Sequence, residues 1–182
     1  PLSRPWLILD RDDTILDDPG YLSDPQKIRF LPGAVAGLKR FHAAGWPLVV
    51  VTNQSGLGRG YFGLQELESV HARLRSLLCD QGVDLAGIYF CPHAPDEGCD
   101  CRKPKPDLAY KASRALGLSL SDCVVVGDKE SDLELGLAVD ARYVAQIVAK
   151  REPSDKAQGH FQDLNGLADH LLRQRPGPRH GA

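Results

Sequence analysis

The sequence contains no apolar run long enough to cross a lipid bilayer. Its longest strongly apolar runs, such as residues 48–51, have the length of a β-strand. It also has almost no excess charge, since 24 acidic residues and 22 lysines and arginines give a net charge of −2. We therefore expect neither nucleic acid nor a membrane surface as a partner. Residues 1–6 show no apolar signal-peptide core and no cleavage site, so no secretory signal is expected.

Cysteine is sparse, with five residues in 182. Without a secretory signal, this number favours a reducing cytoplasm over a disulfide framework. Cys79 and Cys123 lie apart from the other three, and we expect each to be a small buried apolar side chain. The length is that of one domain with a substantial core. We therefore predict a single cytoplasmic domain over residues 1–174, followed by a disordered tail, rich in Pro and Gly, over residues 175–182.

The remaining three cysteines form a compact cluster with one histidine. Cys91-x-His93 and Cys99-x-Cys101 are two ligand pairs within eleven residues. This is the ligand set of a closed zinc site, and four protein ligands leave no open position for catalysis. The alternative, buried cysteines without a metal, has to explain both pairs by chance. We therefore predict a structural zinc loop that fixes the two cations directly following it.

The hydrophobic pattern alternates between strands and helices along the chain. Short apolar runs predict strands at residues 6–9, 47–51, 85–90, 123–126 and 143–148. Apolar residues at helical spacing predict helices at residues 33–44, 64–80, 107–116, 130–139 and 163–173. This alternation is typical of an α/β fold with a mostly parallel central sheet flanked by helices.

Polar residues gather where the predicted strands end. In parallel sheets ligands bind outside the carboxyl ends of the strands, so these residues are expected to meet at one rim. Four segments contribute: Asp10, Asp12 and Asp13 after the first strand, residues 52–55 after the second, Arg102 and Lys103 after the third, and Asp128 with Lys129 after the fourth. Their convergence favours a functional site over chance.

The rim has the residues needed for phosphoryl transfer. The carboxylates of Asp10, Asp12 and Asp128 suit Mg²⁺, which prefers a few carboxylates, water and a phosphate oxygen. Asp10 could attack phosphorus to form an aspartyl-phosphate, and Asp12 could protonate the leaving oxygen and later accept a proton from water. Lys103 and the Thr52 hydroxyl could stabilise charge on the phosphoryl oxygens. On its own, however, the Asp-x-Asp pair is equally typical of a solvated turn.

These motifs resemble the haloacid dehalogenase (HAD) superfamily of phosphohydrolases. Residues 10–14 (DRDDT), Thr52, Lys103 and residues 127–128 (GD) match its four motifs in order and spacing, over residues 6 to about 140. The resemblance implies a Rossmann-like fold without a cap domain. It also implies a Mg²⁺-dependent phosphatase that works through an aspartyl-phosphate.

A closer resemblance is to the heptose-bisphosphate phosphatases of this superfamily. It rests on residues 20–21 (GY), 52–56 (TNQSG), 59–62 (RGYF) and the zinc loop. It implies removal of the 7-phosphate of D-glycero-D-manno-heptose 1,7-bisphosphate, a cytoplasmic step towards nucleotide-activated heptose for lipopolysaccharide. The sister group, the histidinol-phosphate phosphatases, shares the zinc loop but typically has Asp at the position of Ser55 and lacks the RGYF run. A third possibility is a catalytically silent HAD-like binding module, against which the complete set of catalytic residues argues.

The resemblance also implies roles for individual residues. Asp10 is the expected nucleophile and Asp12 the acid/base, and Mg²⁺ is expected on Asp10, on the backbone carbonyl of Asp12 and on Asp128. Arg102 is expected to recognise the substrate. The other expected substrate-binding residues are Asp18, Pro19, Gly20, Tyr21, Asn53, Gln54, Ser55, Arg59 and Lys129. The implied partner is a small phosphorylated sugar, and a core of this size is expected to be a monomer.

Residues 58–63 (GRGYFG) formally match the G-x-G-x-x-G fingerprint of dinucleotide-binding folds. That fingerprint begins at a strand end, whereas Gly58 comes six residues after Thr52. Its acidic residue ends the next strand, whereas Asp84 precedes it. A substrate loop carrying Arg59 is the better interpretation.

The chain departs from the heptose-bisphosphate phosphatases at two places. Asp13 stands where they usually have glycine, although other branches of the superfamily carry Asp there. We therefore expect activity to survive, with a small change in the loop. Residues 139–141 (VDA) replace the usual small Ala-Gly segment, which affects the boundary of the last strand but no chemistry.

Overall fold

The computed structural model describes residues 4–173. Within that range the chain forms one six-stranded sheet, in the order β3-β2-β1-β4-β5-β6, and all five neighbouring pairs are parallel. The strands are β1 (Trp6–Leu9), β2 (Leu48–Asn53), β3 (Gly87–Cys91), β4 (Cys123–Gly127), β5 (Tyr143–Ile147) and β6 (Gly159–Phe161). The predicted α/β fold with a parallel sheet is confirmed. The predicted disordered tail, residues 175–182, lies outside the described residues, as does residue 174, so the single-domain prediction stays a prediction.

Helices cover both faces of the sheet. They are α1 (Ala34–Ala43), α2 (Ser55–Gly58), α3 (Leu64–Asp80), α4 (Asp107–Leu116), α5 (Glu130–Ala138) and α6 (Leu164–Leu171). The predicted helices at residues 64–80 and 107–116 are confirmed at both ends. The predictions at residues 33–44, 130–139 and 163–173 extend one or two residues too far at one or both ends. Fraying of terminal turns accounts for differences of this size.

The core has two layers because successive strand residues point to opposite faces. Leu7 and Leu9 pack with apolar residues of α1, α3 and α6. Trp6 and Ile8 pack with those of α4 and α5 on the other face. All four residues of β1 are almost completely buried, so β1 is a central strand covered on both sides, as its unbroken apolar run predicts.

Two short elements, α2 and β6, were not predicted, because their four and three residues are too short for an apolar pattern to reveal. One expectation from the sequence was wrong. Cys79 is exposed rather than buried, whereas Cys123 is buried as expected. The reason is the last turn of α3, where Leu78 takes the inward position and Cys79, the next residue, points to solvent.

The strand order places a crevice between β1 and β4. Chain connections leave β1 towards β2 on one side, while β4 continues to β5 on the other, which is a topological switch point of the kind that binds ligands. The loops that follow β1 and β2 hold only a short 3₁₀ turn at Pro25–Lys27 and the one-turn helix α2. Within residues 4–173, no cap domain covers this edge of the sheet, as predicted.

None of the helices in the described part of the chain combines the length and the apolar character needed to span a membrane.

Candidate active site

Three carboxylates meet at the crevice between β1 and β4. Asp10 follows β1, Asp128 follows β4, and Asp132 lies in the first turn of α5. One carboxylate oxygen from each lies within 4.8 Å of the others. Asp132 was not among the residues predicted from the sequence. Asp132 is the third residue of α5, which begins two residues after Asp128, so both side chains lie at the same edge of the sheet.

Lys103 neutralises part of this negative charge. Its side chain is 3% exposed, and its Nζ lies 2.8 Å from Asp10 Oδ1 and 2.7 Å from Asp132 Oδ1. The same Nζ donates to the carbonyl oxygen of Val51 at 2.6 Å. Burial alone lowers the pKa of Lys103, but the two carboxylates outweigh it and raise that pKa. Lys103 is therefore a fixed cation beside Asp10, the residue predicted as the nucleophile.

The carboxylate cluster is still short of positive charge. Burial, followed by the repulsion of Asp132, raises the pKa of Asp10, although Lys103 opposes the rise. Burial and the neighbouring charges of Asp10 and Asp132 raise the pKa of Asp128 to about 8. Asp128 Oδ1 is buried and has no hydrogen-bond partner in residues 4–173. An unpaired carboxylate oxygen among like charges fits a divalent cation with oxygen ligands.

Gly127 lets Asp132 come this close to the strand end. A Cβ at position 127 would lie 2.2 Å from Asp132 Cβ and 2.4 Å from its Oδ2. Asp132 Oδ2 also accepts a hydrogen bond from the backbone N–H of Lys129 at 3.0 Å, so it caps the N-terminus of α5. The glycine of the Gly-Asp motif is therefore required by the packing of the third carboxylate.

Asp12 is held by hydrogen bonds on both carboxylate oxygens. Arg11 donates from Nε to Oδ1 at 2.9 Å and from Nη2 to Oδ2 at 3.1 Å. Gln54 donates from Nε2 to Oδ2 at 3.2 Å and to the Thr52 hydroxyl at 2.8 Å. The Asp12 side chain does not belong to the three-carboxylate cluster. This is consistent with the expectation that only its backbone carbonyl faces the metal.

Two adjoining cavities open at this edge of the sheet. The smaller, of about 100 Å³, is lined by Asp10, Asp12, Asn53, Ser55, Arg102, Lys103, Lys129, Ser131 and Asp132. The larger, of about 370 Å³, shares several of these residues and extends to Asp18, Gly20, Tyr21, Gln54, Gly56 and Arg59. Most residues predicted for the substrate site thus line one connected space. Three predicted site residues, Pro19, Thr52 and Asp128, line neither of the two cavities formed by the described chain. Pro19 is exposed, whereas Thr52 and Asp128 are buried behind the cavity walls.

The four predicted zinc ligands lie close together. Cys91 Sγ is 3.6 Å from Cys99 Sγ and 3.5 Å from His93 Nδ1, which is 3.2 Å from Cys101 Sγ. Zinc–sulfur bonds of about 2.3 Å in a tetrahedron place ligand atoms about 3.8 Å apart. The observed separations are slightly shorter than this, so the four side chains already have the spacing of a closed four-ligand metal site.

The loop that carries the Cys/His cluster is tied directly to the edge of the sheet where Asp10 and Lys103 meet. Asn53, at the end of β2, accepts from the backbone N–H of Lys103 at 3.0 Å and donates to the Lys103 carbonyl oxygen at 3.3 Å. Cys101 lies two residues before Lys103 and is held in the cluster. The backbone of Lys103 is therefore fixed from both sides, by Asn53 and by the ligand cluster.

A basic segment after β5 was also missed from the sequence. Lys150 Nζ lies 2.9 Å from Asp13 Oδ1 and also bonds Asp17, and Arg151 Nε lies 2.9 Å from Asp128 Oδ2. Asp13 has a φ of +58° and also accepts from the backbone N–H of Asp18 at 3.0 Å. The aspartate that replaces the usual glycine thus connects the loop at Asp18 to the segment after β5.

Comparisons with known proteins agree with this site. The model of the haloacid dehalogenase-like hydrolases matches residues 6–140. The D-glycero-beta-D-manno-heptose-1,7-bisphosphate 7-phosphatase of Pseudomonas aeruginosa is 41% identical over 178 residues, covering 94% of this chain and 100% of that protein. The corresponding protein of Pseudomonas putida is 44% identical over 172 residues, covering 91% and 98%.

A solved structure extends the comparison to three dimensions. The crystal structure of D,D-heptose 1,7-bisphosphate phosphatase from B. bronchiseptica, complexed with magnesium and phosphate, has a TM-score of 0.83 at 29% identity. The match covers 94% of this chain and 99% of that one. The fold, the catalytic motifs and the relatives lead to one assignment: this chain belongs to the haloacid dehalogenase-like hydrolase family.

Proposed function

We propose that this chain is a Mg²⁺-dependent phosphatase that removes the 7-phosphate of D-glycero-D-manno-heptose 1,7-bisphosphate. The observation that carries the proposal is the pair of connected cavities. The smaller one contains the Asp10–Lys103 pair and has the size of a phosphoryl group. The larger one has Arg59, Arg102 and Lys129 on its walls, which suits a sugar with a second phosphate. The names of the relatives in Pseudomonas support the same substrate.

The residues of the smaller cavity account for both halves of the hydrolysis. A carboxylate oxygen of Asp10 attacks phosphorus, and the bond from phosphorus to the sugar oxygen breaks as the aspartyl-phosphate forms. Asp12 donates a proton to that leaving oxygen, then takes one from the water that releases phosphate from Asp10. Lys103 stabilises the negative charge of the equatorial oxygens. Asp10, Asp128, Asp132 and the Asp12 carbonyl would hold Mg²⁺, which supplies positive charge against the phosphoryl oxygens when bound.

Zinc is the metal proposed for the loop of three cysteines and one histidine. Its four ligands close the coordination shell, so its proposed role is structural. Thiolate ligands require reduced cysteines, which supports the proposed cytoplasmic location. The proposal also treats residues 1–174 as one domain acting as a monomer on a small phosphorylated sugar.

The charge of the larger cavity favours a bisphosphate over histidinol phosphate. Histidinol phosphate carries an ammonium group, which the three cations would repel, although Asp12 and Asp18 offset part of that charge. Ser55 lines this cavity where the histidinol-phosphate phosphatases typically have Asp. Lys103 is buried between two carboxylates. Such an arrangement destabilises a protein when one partner is missing, and a catalytically silent module has no need for it.

A substrate panel tests the proposal. With Mg²⁺, the purified protein is expected to hydrolyse both anomers of the heptose 1,7-bisphosphate with a kcat/KM at least about 100-fold above that for histidinol phosphate, the effect of about two charge-assisted contacts. The kcat/KM for heptose 7-phosphate, which lacks the second phosphate, should lie between these two values because its KM is higher. Phosphate release is the measurement, and absence of turnover across the panel, or a preference for histidinol phosphate, contradicts the proposal.

Replacing Asp13 with glycine should weaken substrate binding with little effect on stability. Glycine removes the free-energy cost of a left-handed backbone at a non-glycine residue, about 1 kcal/mol. The variant also loses the ion pair with the partly exposed Lys150, which contributes less than about 1 kcal/mol to stability. The Asp18 backbone loses its acceptor, so KM should rise about 5-fold, the effect of one hydrogen bond at about 1 kcal/mol. Asp13→Asn, which keeps an oxygen acceptor and tolerates this conformation, is the control with near-normal KM. An unchanged KM in Asp13→Gly would show that the Asp18 loop does not depend on this contact.

A further inference from the structure

Arg11 is a buried cation whose role the proposed reaction does not by itself explain. It lies between the two catalytic aspartates in sequence, and its side chain is 1% exposed. Its guanidinium holds the Asp12 carboxylate in a two-point contact, Nε to Oδ1 and Nη2 to Oδ2. A guanidinium is planar, so the orientation of its plane fixes the orientation of a carboxylate bound in this way.

The remaining end of the guanidinium contacts a histidine from a distant helix. Arg11 Nη1 lies 3.0 Å from Nε2 of His71, which is in the middle of α3 and 60 residues away in the sequence. Because an arginine nitrogen can only donate, His71 Nε2 must be the acceptor, so the ring proton is on Nδ1. His71 is 8% exposed, and its ring centroid lies 5.9 Å from that of Phe90 in β3. The imidazole therefore has a packed, fixed orientation.

The surroundings keep this histidine neutral. Burial, together with the charges of Arg11 and Arg75, lowers its pKa to about 3. A protonated imidazole would have no acceptor for Arg11 and would repel it. His71 lines neither of the two cavities described above, so a direct substrate contact does not account for its position.

We propose that His71 is a positioning residue for the acid/base Asp12, acting through Arg11. The inference rests on the proposed function, because it concerns the step in which Asp12 protonates the leaving sugar oxygen. The contact of His71 with Nη1 fixes the guanidinium plane, and the guanidinium fixes both oxygens of Asp12. Gln54 contacts only Oδ2, so without His71 the guanidinium of Arg11 could turn and the carboxylate would lose its fixed orientation while Gln54 still holds one oxygen.

This role predicts a dependence on the leaving group. A sugar alkoxide is a poor leaving group and needs the proton from Asp12, whereas the p-nitrophenolate of p-nitrophenyl phosphate leaves without one. The quantity to measure is kcat/KM, which reports formation of the aspartyl-phosphate for both substrates. A purely structural defect would lower both values in parallel, whereas a misplaced acid lowers only the value for the sugar phosphate.

Three variants test the inference. His71→Leu removes the acceptor and is expected to lower kcat/KM for heptose bisphosphate about 10- to 100-fold, within the range of general acid catalysis. For p-nitrophenyl phosphate the expected loss is under about 3-fold, since no proton is needed. His71→Gln places an amide oxygen near the position of Nε2 and should restore most of the selective loss. If His71→Leu does not fold, as judged by thermal unfolding, His71→Asn replaces it because its shorter amide cannot reach Arg11.

The outcomes separate this inference from the proposed function. A wild-type protein without activity on heptose bisphosphate contradicts the proposed function. If the wild type is fully active, the positioning role is overturned when the His71 variants lose activity equally on both substrates, or lose none. In an Asp12→Asn background, the His71→Leu change should cost no further activity on the sugar phosphate. Additive losses there would show that His71 does not act through Asp12.

Discussion

An Asp10→Asn variant is expected to lose at least about 10⁴-fold in kcat while keeping its fold, since removal of a catalytic nucleophile has effects of this order. The amide has almost the same shape as the carboxylate but does not attack phosphorus. Lys103 keeps its contacts with Asp132 and with the Val51 carbonyl. The substitution therefore removes the proposed nucleophile without leaving the buried cation unpaired.

The charge of Asp10 gives a second, independent readout. Because burial and Asp132 raise its pKa, the ionised carboxylate opposes folding of the metal-free protein at neutral pH. Asp10→Asn should therefore keep or raise the free energy of unfolding without metal, measured by thermal or urea unfolding. Asp80→Asn, at the exposed end of α3, is the matched control and should leave kcat and stability unchanged. Retained turnover in Asp10→Asn would rule out Asp10 as the nucleophile.

The parallel sheet and most residues that meet at its carboxyl edge were predictable from the sequence because both depend on local signals. Buried parallel strands appear as unbroken apolar runs such as residues 48–51, and the residues after each run belong to the carboxyl edge. The four predicted zinc ligands lie within eleven residues, so their spacing alone indicated a site. No knowledge of distant contacts was needed for either inference.

The residues that were missed depend on contacts between distant parts of the chain. Lys150 and Arg151 reach the site only because β5 lies beside β4 and its following segment turns towards Asp13 and Asp128. His71 lies on the apolar face of α3, where a histidine usually packs in the core, and only its contact with Arg11 distinguishes it. Asp132 was within reach, since it lies in the first turn of the predicted helix that begins two residues after Asp128.

Removal of the zinc proposed for the Cys/His cluster should impair substrate binding and turnover together. A Cys101→Ala variant is expected to lose the zinc, from about one per chain in the wild type to a small fraction, because a closed site needs all four ligands. Arg102 and Lys103 follow the lost ligand directly. The first lines both cavities and the second holds Asp10. A displaced Arg102 raises KM, and a displaced Lys103 lowers kcat.

The size of the effect follows from what Lys103 does in the site. Its Nζ separates Asp10 from Asp132, and a misplaced charge at a phosphoryl oxygen costs about 10²-fold or more in rate. We therefore expect kcat/KM for heptose bisphosphate to fall at least about 100-fold, divided between kcat and KM. Asn53 still binds the Lys103 backbone, so some activity should remain, unlike in Asp10→Asn.

Metal analysis and kinetics together separate a structural zinc from other interpretations. Cys79→Ala changes an exposed cysteine outside the cluster and should keep both the zinc and the activity. Zinc-free wild-type protein prepared with a chelator should behave like Cys101→Ala and recover when zinc is restored, because binding and folding of such loops are coupled. If untreated wild type contains no zinc, the cluster is not a zinc site. If Cys101→Ala loses its zinc but keeps normal kcat and KM, the loop does not position Arg102 and Lys103, and their placement must come from Asn53 and the carboxylates alone.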